Sequence, residues 1–334
     1  MSDNSKIEWT DHTFNPWEGC QKVAPECDNC YAETRNNRFH GGINWGPKAP
    51  RRRTSAANWN KPRKWHRDAA AFMAKHGRRQ RVFCASLADV FDNAVDPAWR
   101  ADLFDLIREC DGLDWLLLTK RPQNIAKMLP EDWGDGWPHV WLGTSAGTQK
   151  TADQNIPPLL AVPAAVRFVS AEPLLGPVNL EVISTDDIGI YALSGVQSDG
   201  SGPSGFSIGA KLDWVICGGE SGPNARPMHP DWARHLRDQC QKAGIPFFFK
   251  QWGEYADHTS DHANCRPCCA TSDLVITPQG HIIGGGAKGY GGAVDADWQE
   301  RGAAWMCRVG KVAAGRILDG QTWDQVPTGA EDVK

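Results

Sequence analysis

The stretch DWLLLTKRP, residues 114–122, passes from an apolar core directly into a cation pair. Its apolar part is short, nearly continuous and free of helical periodicity, as expected for a strand buried on both faces of a parallel sheet. Five more runs share the pattern: RVFCAS (81–86), HVWLG (139–143), VRFVS (166–170), LDWVIC (212–217) and IPFFFK (245–250). Between several of them lie helical intervals. DPAWRADLFDLIREC (96–110) offers Asp96 as N-cap with Pro97 at the first helical position, and HPDWARHLRDQCQKAG (229–244) ends on Gly244, a good C-cap. Six strands alternating with helices predict an α/β barrel or an open doubly wound sheet.

Each run is followed by polar residues: Ser86 and Asp89, Lys120 and Arg121, Thr144 and Ser145, Glu172, Gly218 to Glu220, then Lys250 and Gln251. In α/β barrels the strand C-termini carry the active site, so these residues predict a functional rim. Glu220 and Lys250 are the candidate catalytic, substrate-facing residues, with a salt bridge across the mouth as the plain alternative. Lys120 and Arg121 suit a carboxylate or phosphate.

Two segments interrupt the alternation. Residues 184–210 are rich in Gly and Ser and predict a flexible insertion; residues 255–308 hold HANCRPCC and a Gly-rich run. The expected organisation is a barrel over 1–254, carrying a basic insertion at about 35–81 and the Gly/Ser-rich one, then the 255–308 insertion and a closing helix and tail over 309–334.

The net charge of −4 conceals an asymmetry. From Arg35 to Arg81 fourteen cations face one acid, Asp68, a local excess of about +13 that leaves about −17 to the rest. Trp59 and Trp65 are interleaved with Arg51, Arg52, Arg53, Lys61, Arg63 and Lys64, a combination that suits phosphate neutralisation and base stacking and predicts a nucleic-acid contact. No stretch reaches the roughly 20 apolar residues of a membrane span, and the polar start MSDNSKIEWTDH does not read as a leader. A cytoplasmic location is expected. Eleven cysteines there suggest metal or redox chemistry over disulfides.

Three of them, Cys20-x6-Cys27-x2-Cys30, share one short loop. A structural zinc needs a fourth protein ligand, which His12 or His40 could supply. A [4Fe–4S] cluster is satisfied by three thiolates if its fourth iron stays open. Cys265, Cys268 and Cys269, near His258 and His262, form a possible second site for zinc or an auxiliary cluster. Cys84, Cys110, Cys217, Cys240 and Cys307 read as packed small hydrophobes.

The stretch WTDHTFNPWEGC…CDNCYAE resembles the cluster loop of a phage- and bacteria-associated radical SAM-like family, which carries C-x6-C-x2-C-Y near its N-terminus. LLLTKRP, VWLGTSAGTQ, RFVSAEPLLGP, DWVICGGESGPNARPM and PFFFKQWGE resemble it too; the likeness covers roughly residues 7–255 and 309–327. The spacing departs from the C-x3-C-x2-C of the wider radical SAM superfamily, and Tyr31 follows the last cysteine where an aromatic normally precedes it. The resemblance implies a partial (β/α)6-type radical SAM (TIM-like) barrel with insertions. It implies a [4Fe–4S] cluster on Cys20, Cys27 and Cys30, S-adenosylmethionine as cosubstrate and a 5′-deoxyadenosyl radical. On this reading Ser86 and Asp89 face the methionyl end, Ser145 and Glu172 the ribose or amino group, and Tyr31 is the loop's aromatic on the cofactor side. The GGE of Gly218 to Glu220 follows about the sixth strand, not the second, so the methionine-binding role of a similar motif is not carried over. Partners implied are DNA containing modified thymidine and a reducing electron donor. The concrete activity would be isomerisation of an amino-acid adduct on hypermodified thymidine in phage DNA. The alternatives are a zinc-stabilised nucleic-acid-binding protein without catalysis, or a radical SAM enzyme acting on a small molecule or peptide.

Overall fold

The computed structural model describes residues 5, 7–185, 189–198, 206–259, 273–285 and 297–327. Seven parallel strands form the central sheet: β1 (His12–Phe14), β2 (Gln80–Cys84), β3 (Leu113–Thr119), β4 (Val140–Ser145), β5 (Val166–Ala171), β6 (Trp214–Gly218) and β7 (Phe247–Gln251), hydrogen-bonded in that order. The expected (β/α)6-type barrel is therefore corrected to a curled, all-parallel sheet of seven strands. The added strand is β1, which pairs His12 with Val82 and Phe14 with Cys84. Three residues with a polar majority make no apolar run, so its sequence carries no strand signal.

The apolar strands bury both faces by alternation. Phe83, Leu116, Trp141, Phe168, Trp214 and Phe248 point to the concave side, where Trp9 joins them; Trp214 meets the rings of Trp9, Trp141 and Phe248 edge-on at 6.1, 5.9 and 6.1 Å. Edge-to-face contacts suit the ring quadrupoles, and these rings fill the concave interior with side chains. Val82, Cys84, Trp115, Leu117, Val215 and Phe249 alternate to the other face. There they pack with helices α1 (Pro97–Glu109), α2 (Gln149–Leu160) and α3 (Pro230–Ala243). Asp96 caps α1 by accepting from Ala98 N at 2.9 Å, and Gly244 ends α3 with φ 67°, as their sequences predict.

Between β1 and β2, the basic insertion folds into short helices, Tyr31–His40, Ala56–Trp59, Lys61–Arg67 and Ala69–His76. The described part of 184–210 is not a featureless loop: strands Ile183–Ser184, Gly189–Tyr191, Val196–Ser198 and Phe206–Ile208 make an antiparallel sheet. A second antiparallel sheet is built by Tyr255–Asp257, Leu274–Ile276, Ile282–Gly285 and Ala304–Arg308. Beyond the short helix Lys311–Ala314, the chain runs back along β7. Phe249 N donates to Trp323 O at 2.9 Å and Trp214 Nε1 to Gln325 O at 2.9 Å, so this segment covers an edge strand that would otherwise present unpaired backbone groups. Among the described residues no helix is long and apolar enough to cross a membrane.

Candidate functional site

Above the aromatic interior, at the C-terminal ends of the strands, lies a cavity of about 750 Å³, within the range of small-molecule sites. Its wall contains Cys20, Cys27 and Cys30. It also contains Tyr31, Ser86, Asp89, Ser145, Glu172, Glu220 and Lys250, so residues up to 230 positions apart in the chain meet around one space. All three thiols are free; Cys27 is 7% exposed, and Cys20 and Cys30 are half-buried.

The loop that carries the cysteines is fastened at three points. Arg121, after β3, donates Nη2 to Gln21 O at 3.2 Å and Nη1 to Cys20 Sγ at 3.6 Å. Glu26, between the cysteines, accepts from Gly147 N at 2.7 Å and Thr151 Oγ1 at 2.6 Å, at the start of α2. Arg226, after β6, donates to Pro25 O at 3.0 Å and pairs with Asp28 at 3.1 Å, while its Nη2 holds Glu220 Oε1 at 2.7 Å. Asn29 adds a bond to Glu220 Oε2 at 3.0 Å.

Glu220, the candidate catalytic acid, is thus a clamp. Burial works to raise its pKa, but hydrogen bonds from Arg226 and Asn29 hold the carboxyl below the usual range, a carboxylate committed to structure. Arg226→Ala leaves that buried charge with Asn29 and the Arg226 backbone N–H alone. Full burial would cost 3–5 kcal/mol; Arg226 is one-third exposed, so about 2 kcal/mol of stability is expected to go, read by denaturant titration. Faster thiol alkylation of the loosened loop should accompany it.

Asp89 is likewise saturated. Its Oδ1 accepts from Phe91 N at 2.9 Å and Thr119 Oγ1 at 2.7 Å, its Oδ2 from Lys120 N at 3.1 Å and Arg121 Nη1 at 2.9 Å. It orients Arg121 and has no lone pair directed at a methionyl group. Ser86 is held by Asn15 Nδ2 at 3.0 Å, and its carbonyl accepts from Tyr31 Oη at 2.7 Å. Glu172 and Lys250 do meet across the mouth, Nζ to Oε1 at 2.9 Å, with Ser170 Oγ 3.4 Å from the other oxygen. The glycine pair of GGE serves packing: a Cβ on Gly219 would lie 1.9 Å from Trp252 O, and one on Gly218 2.7 Å from Glu172 Oε1.

Five residues of the wall keep a buried polar atom without a partner: Trp9 Nε1, Glu26 Oε2, Trp45 Nε1, Ser145 Oγ and Gln251 Oε1. Ser145 Oγ and Gln251 Oε1 are buried, line the cavity and have no hydrogen-bond partner, the signature of positions satisfied by a ligand or water. Burial, with Asp89 adding to it, pushes the Cys20 thiol up to about 11 against the opposing pull of Arg121, so the group is a protonated thiol at neutral pH.

Neither proposed fourth zinc ligand turns to the loop. His12 stacks on Trp65 at 4.2 Å, and His40 lies 3.3 Å from Glu18. Among the described residues no three His, Cys, Asp or Glu side chains converge as a single-ion site requires. A cubane asks for a wider arrangement, because each thiolate takes a different iron. Cys265, Cys268 and Cys269 lie outside the described residues. Cys84, Cys110, Cys217, Cys240 and Cys307 are buried, as expected of packing residues.

A protein-family model matches residues 4–327, a span that takes in the whole of this wall. The chain belongs to the DUF5131 family, a protein family of unknown function. No curated protein and no solved structure matches it.

In this DUF5131 protein the basic tract lacks the stacking platforms that its sequence predicts at Trp59 and Trp65. Trp59 and Trp65 are buried, Trp59 donating to Pro16 O at 3.2 Å, so neither ring is available for stacking on a base. Arg51 is buried against Asp92. Arg52 pairs with Glu18, Arg53 with Asp102 at 2.6 Å, and Arg63 with Glu109 at 2.7 Å. Lys64 is exposed, and Lys61 is partly buried. Acids remote in sequence neutralise much of the tract.

The first helix of the tract, Tyr31–His40, keeps an exposed ring between cations, of which Arg35 also pairs with Glu18 at 3.4 Å. Phe39 is 60% exposed with the guanidinium groups of Arg35 and Arg38 at 5.4 and 5.3 Å, and Tyr31 is 59% exposed. Arg35, Lys22 and Tyr31 belong to the cavity wall itself.

Proposed function

We propose that this protein is a radical SAM enzyme in which Cys20, Cys27 and Cys30 hold a [4Fe–4S] cluster and the adjoining cavity takes S-adenosylmethionine with its substrate. One observation carries the reading: three free thiols on a fastened loop share a single cavity with the polar ends of β2 to β7. A cluster bound there would supply the electron that cleaves S-adenosylmethionine to methionine and a 5′-deoxyadenosyl radical, given an external one-electron donor. The residues of the chain have separate tasks. Arg121, Glu26 and Arg226 fix the cysteine loop. Glu172 and Lys250 present an anion beside a cation and suit a ligand bearing both ammonium and carboxylate. Ser145 and Gln251 direct open acceptors at that ligand.

Metal analysis of anaerobically purified protein tests this reading. About four iron and four sulfide per chain are expected. Stoichiometric zinc without iron would overturn it in favour of a zinc-stabilised binding protein.

The substrate reading is a nucleic acid, with isomerisation of an amino-acid adduct on modified thymidine in DNA as its concrete form. It is supported by the family resemblance and by the Arg35–Phe39–Arg38 surface beside the cavity, where cations meet phosphates and an exposed ring stacks on a base. An Arg35→Ala/Arg38→Ala/Phe39→Ala variant should bind single-stranded DNA at least about tenfold more weakly and lower the salt slope by about 1.4. Unchanged affinity would remove this surface from the account and leave a small-molecule or peptide substrate.

A further inference from the structure

A buried chain of alternating charges ends on the first cysteine. Arg51 Nε binds Asp92 Oδ2 at 2.8 Å; Asp92 Oδ1 lies 3.9 Å from Arg121 Nε; Arg121 Nη1 binds Asp89 Oδ2 at 2.9 Å. All four side chains are almost wholly buried. Backbone donors hold both carboxylates, Ala94 N on Asp92 at 3.1 Å and Lys120 N on Asp89 at 3.1 Å. A guanidinium needed only to neutralise two aspartates could end there. This one also reaches Cys20, with Nη1 3.6 Å from Sγ, and among the described residues no side chain donates to Cys27 or Cys30.

We propose that Arg121 is a positioning residue that raises the reduction potential of the cluster through Cys20. This rests on the reading that Cys20 is a cluster ligand. Reduction adds an electron to an already anionic group. A fixed cation and an N–H···S bond stabilise the added charge, and burial leaves that interaction weakly screened. The asymmetry, one donated thiolate against two without, places this effect at the iron bound to Cys20.

The test is the midpoint potential of the reconstituted protein, followed by the reduced-cluster signal in an electron paramagnetic resonance titration. In an Asp89→Asn/Arg121→Gln variant both charges go together, so no buried carboxylate is stranded. Asp89 is itself an anion beside Cys20, so the reference is Asp89→Asn alone. At fixed ambient potential the reduced-to-oxidised ratio of the double variant should lie at least tenfold below that of Asp89→Asn, about 59 mV for a one-electron couple. Arg121→Lys keeps the charge but not the fork that spans Asp89 and Cys20, and should shift the potential less in the same direction from wild type. A full iron and sulfide load with equal potentials in the double variant and Asp89→Asn would overturn the proposal and leave the cluster reading standing. A wild-type protein that takes up no iron would sink the cluster reading and this proposal with it.

Discussion

Replacing Arg51 by alanine is expected to cost about 3–5 kcal/mol of stability, because it strands a buried carboxylate. Arg51 and Asp92 side chains are each 1% exposed. The guanidinium also donates to Ala49 O at 2.9 Å and reaches the Asn44 and Gly46 carbonyls at 3.4 and 3.5 Å. Alanine removes every one of those donors and leaves Asp92 with the Ala94 backbone N–H and the more distant Arg121. Denaturant titration measures the loss; Arg51→Lys should recover part of it by keeping the charge without the fork. The DNA affinity of the folded fraction should not change. A variant within about 1 kcal/mol of wild type would mean that this pair is not buried as described.

The second large effect concerns the cluster. Cys27→Ala is expected to reduce bound iron and sulfide from about four each to below about one per chain. Its effect on the fold should be small. Among the described residues no hydrogen bond from this sulfur holds the loop; Glu26, Arg121 and Arg226 fasten it through other atoms. Cys217→Ala supplies the contrast. Cys217 lies fully buried in the core, outside the cavity wall, so its loss should leave iron intact and cost about 1–2 kcal/mol of packing. Equal iron in the two variants would contradict the assignment of the loop.

Six of the seven sheet strands were legible because burial on both faces writes a continuous apolar run, and the ends of α1 and α3 because Asp96 and Gly244 are local signals. The polar rim followed from the strands and does surround one cavity. What escaped was non-local. The partners of the basic tract, Glu18, Asp92, Asp102 and Glu109, all fall outside residues 35–81, so a windowed charge count misses them. Trp59 and Trp65 look like stacking platforms until β1 is placed, when Phe14 meets the first edge-on at 5.8 Å and His12 stacks on the second. Glu220 stood out as a conspicuous acid after a strand, but its role depends on Arg226, six residues on, and on Asn29, nearly two hundred residues before it.

The central claim is that the cavity beside the three cysteines performs reductive cleavage of S-adenosylmethionine. The most direct measurement is 5′-deoxyadenosine release by anaerobic, iron-loaded, dithionite-reduced protein incubated with S-adenosylmethionine. Accumulation of 5′-deoxyadenosine or a substrate-dependent increase in it, absent from Cys27→Ala, is the predicted result. S-adenosylmethionine recovered intact from fully loaded, reduced protein, with and without DNA, would contradict the account.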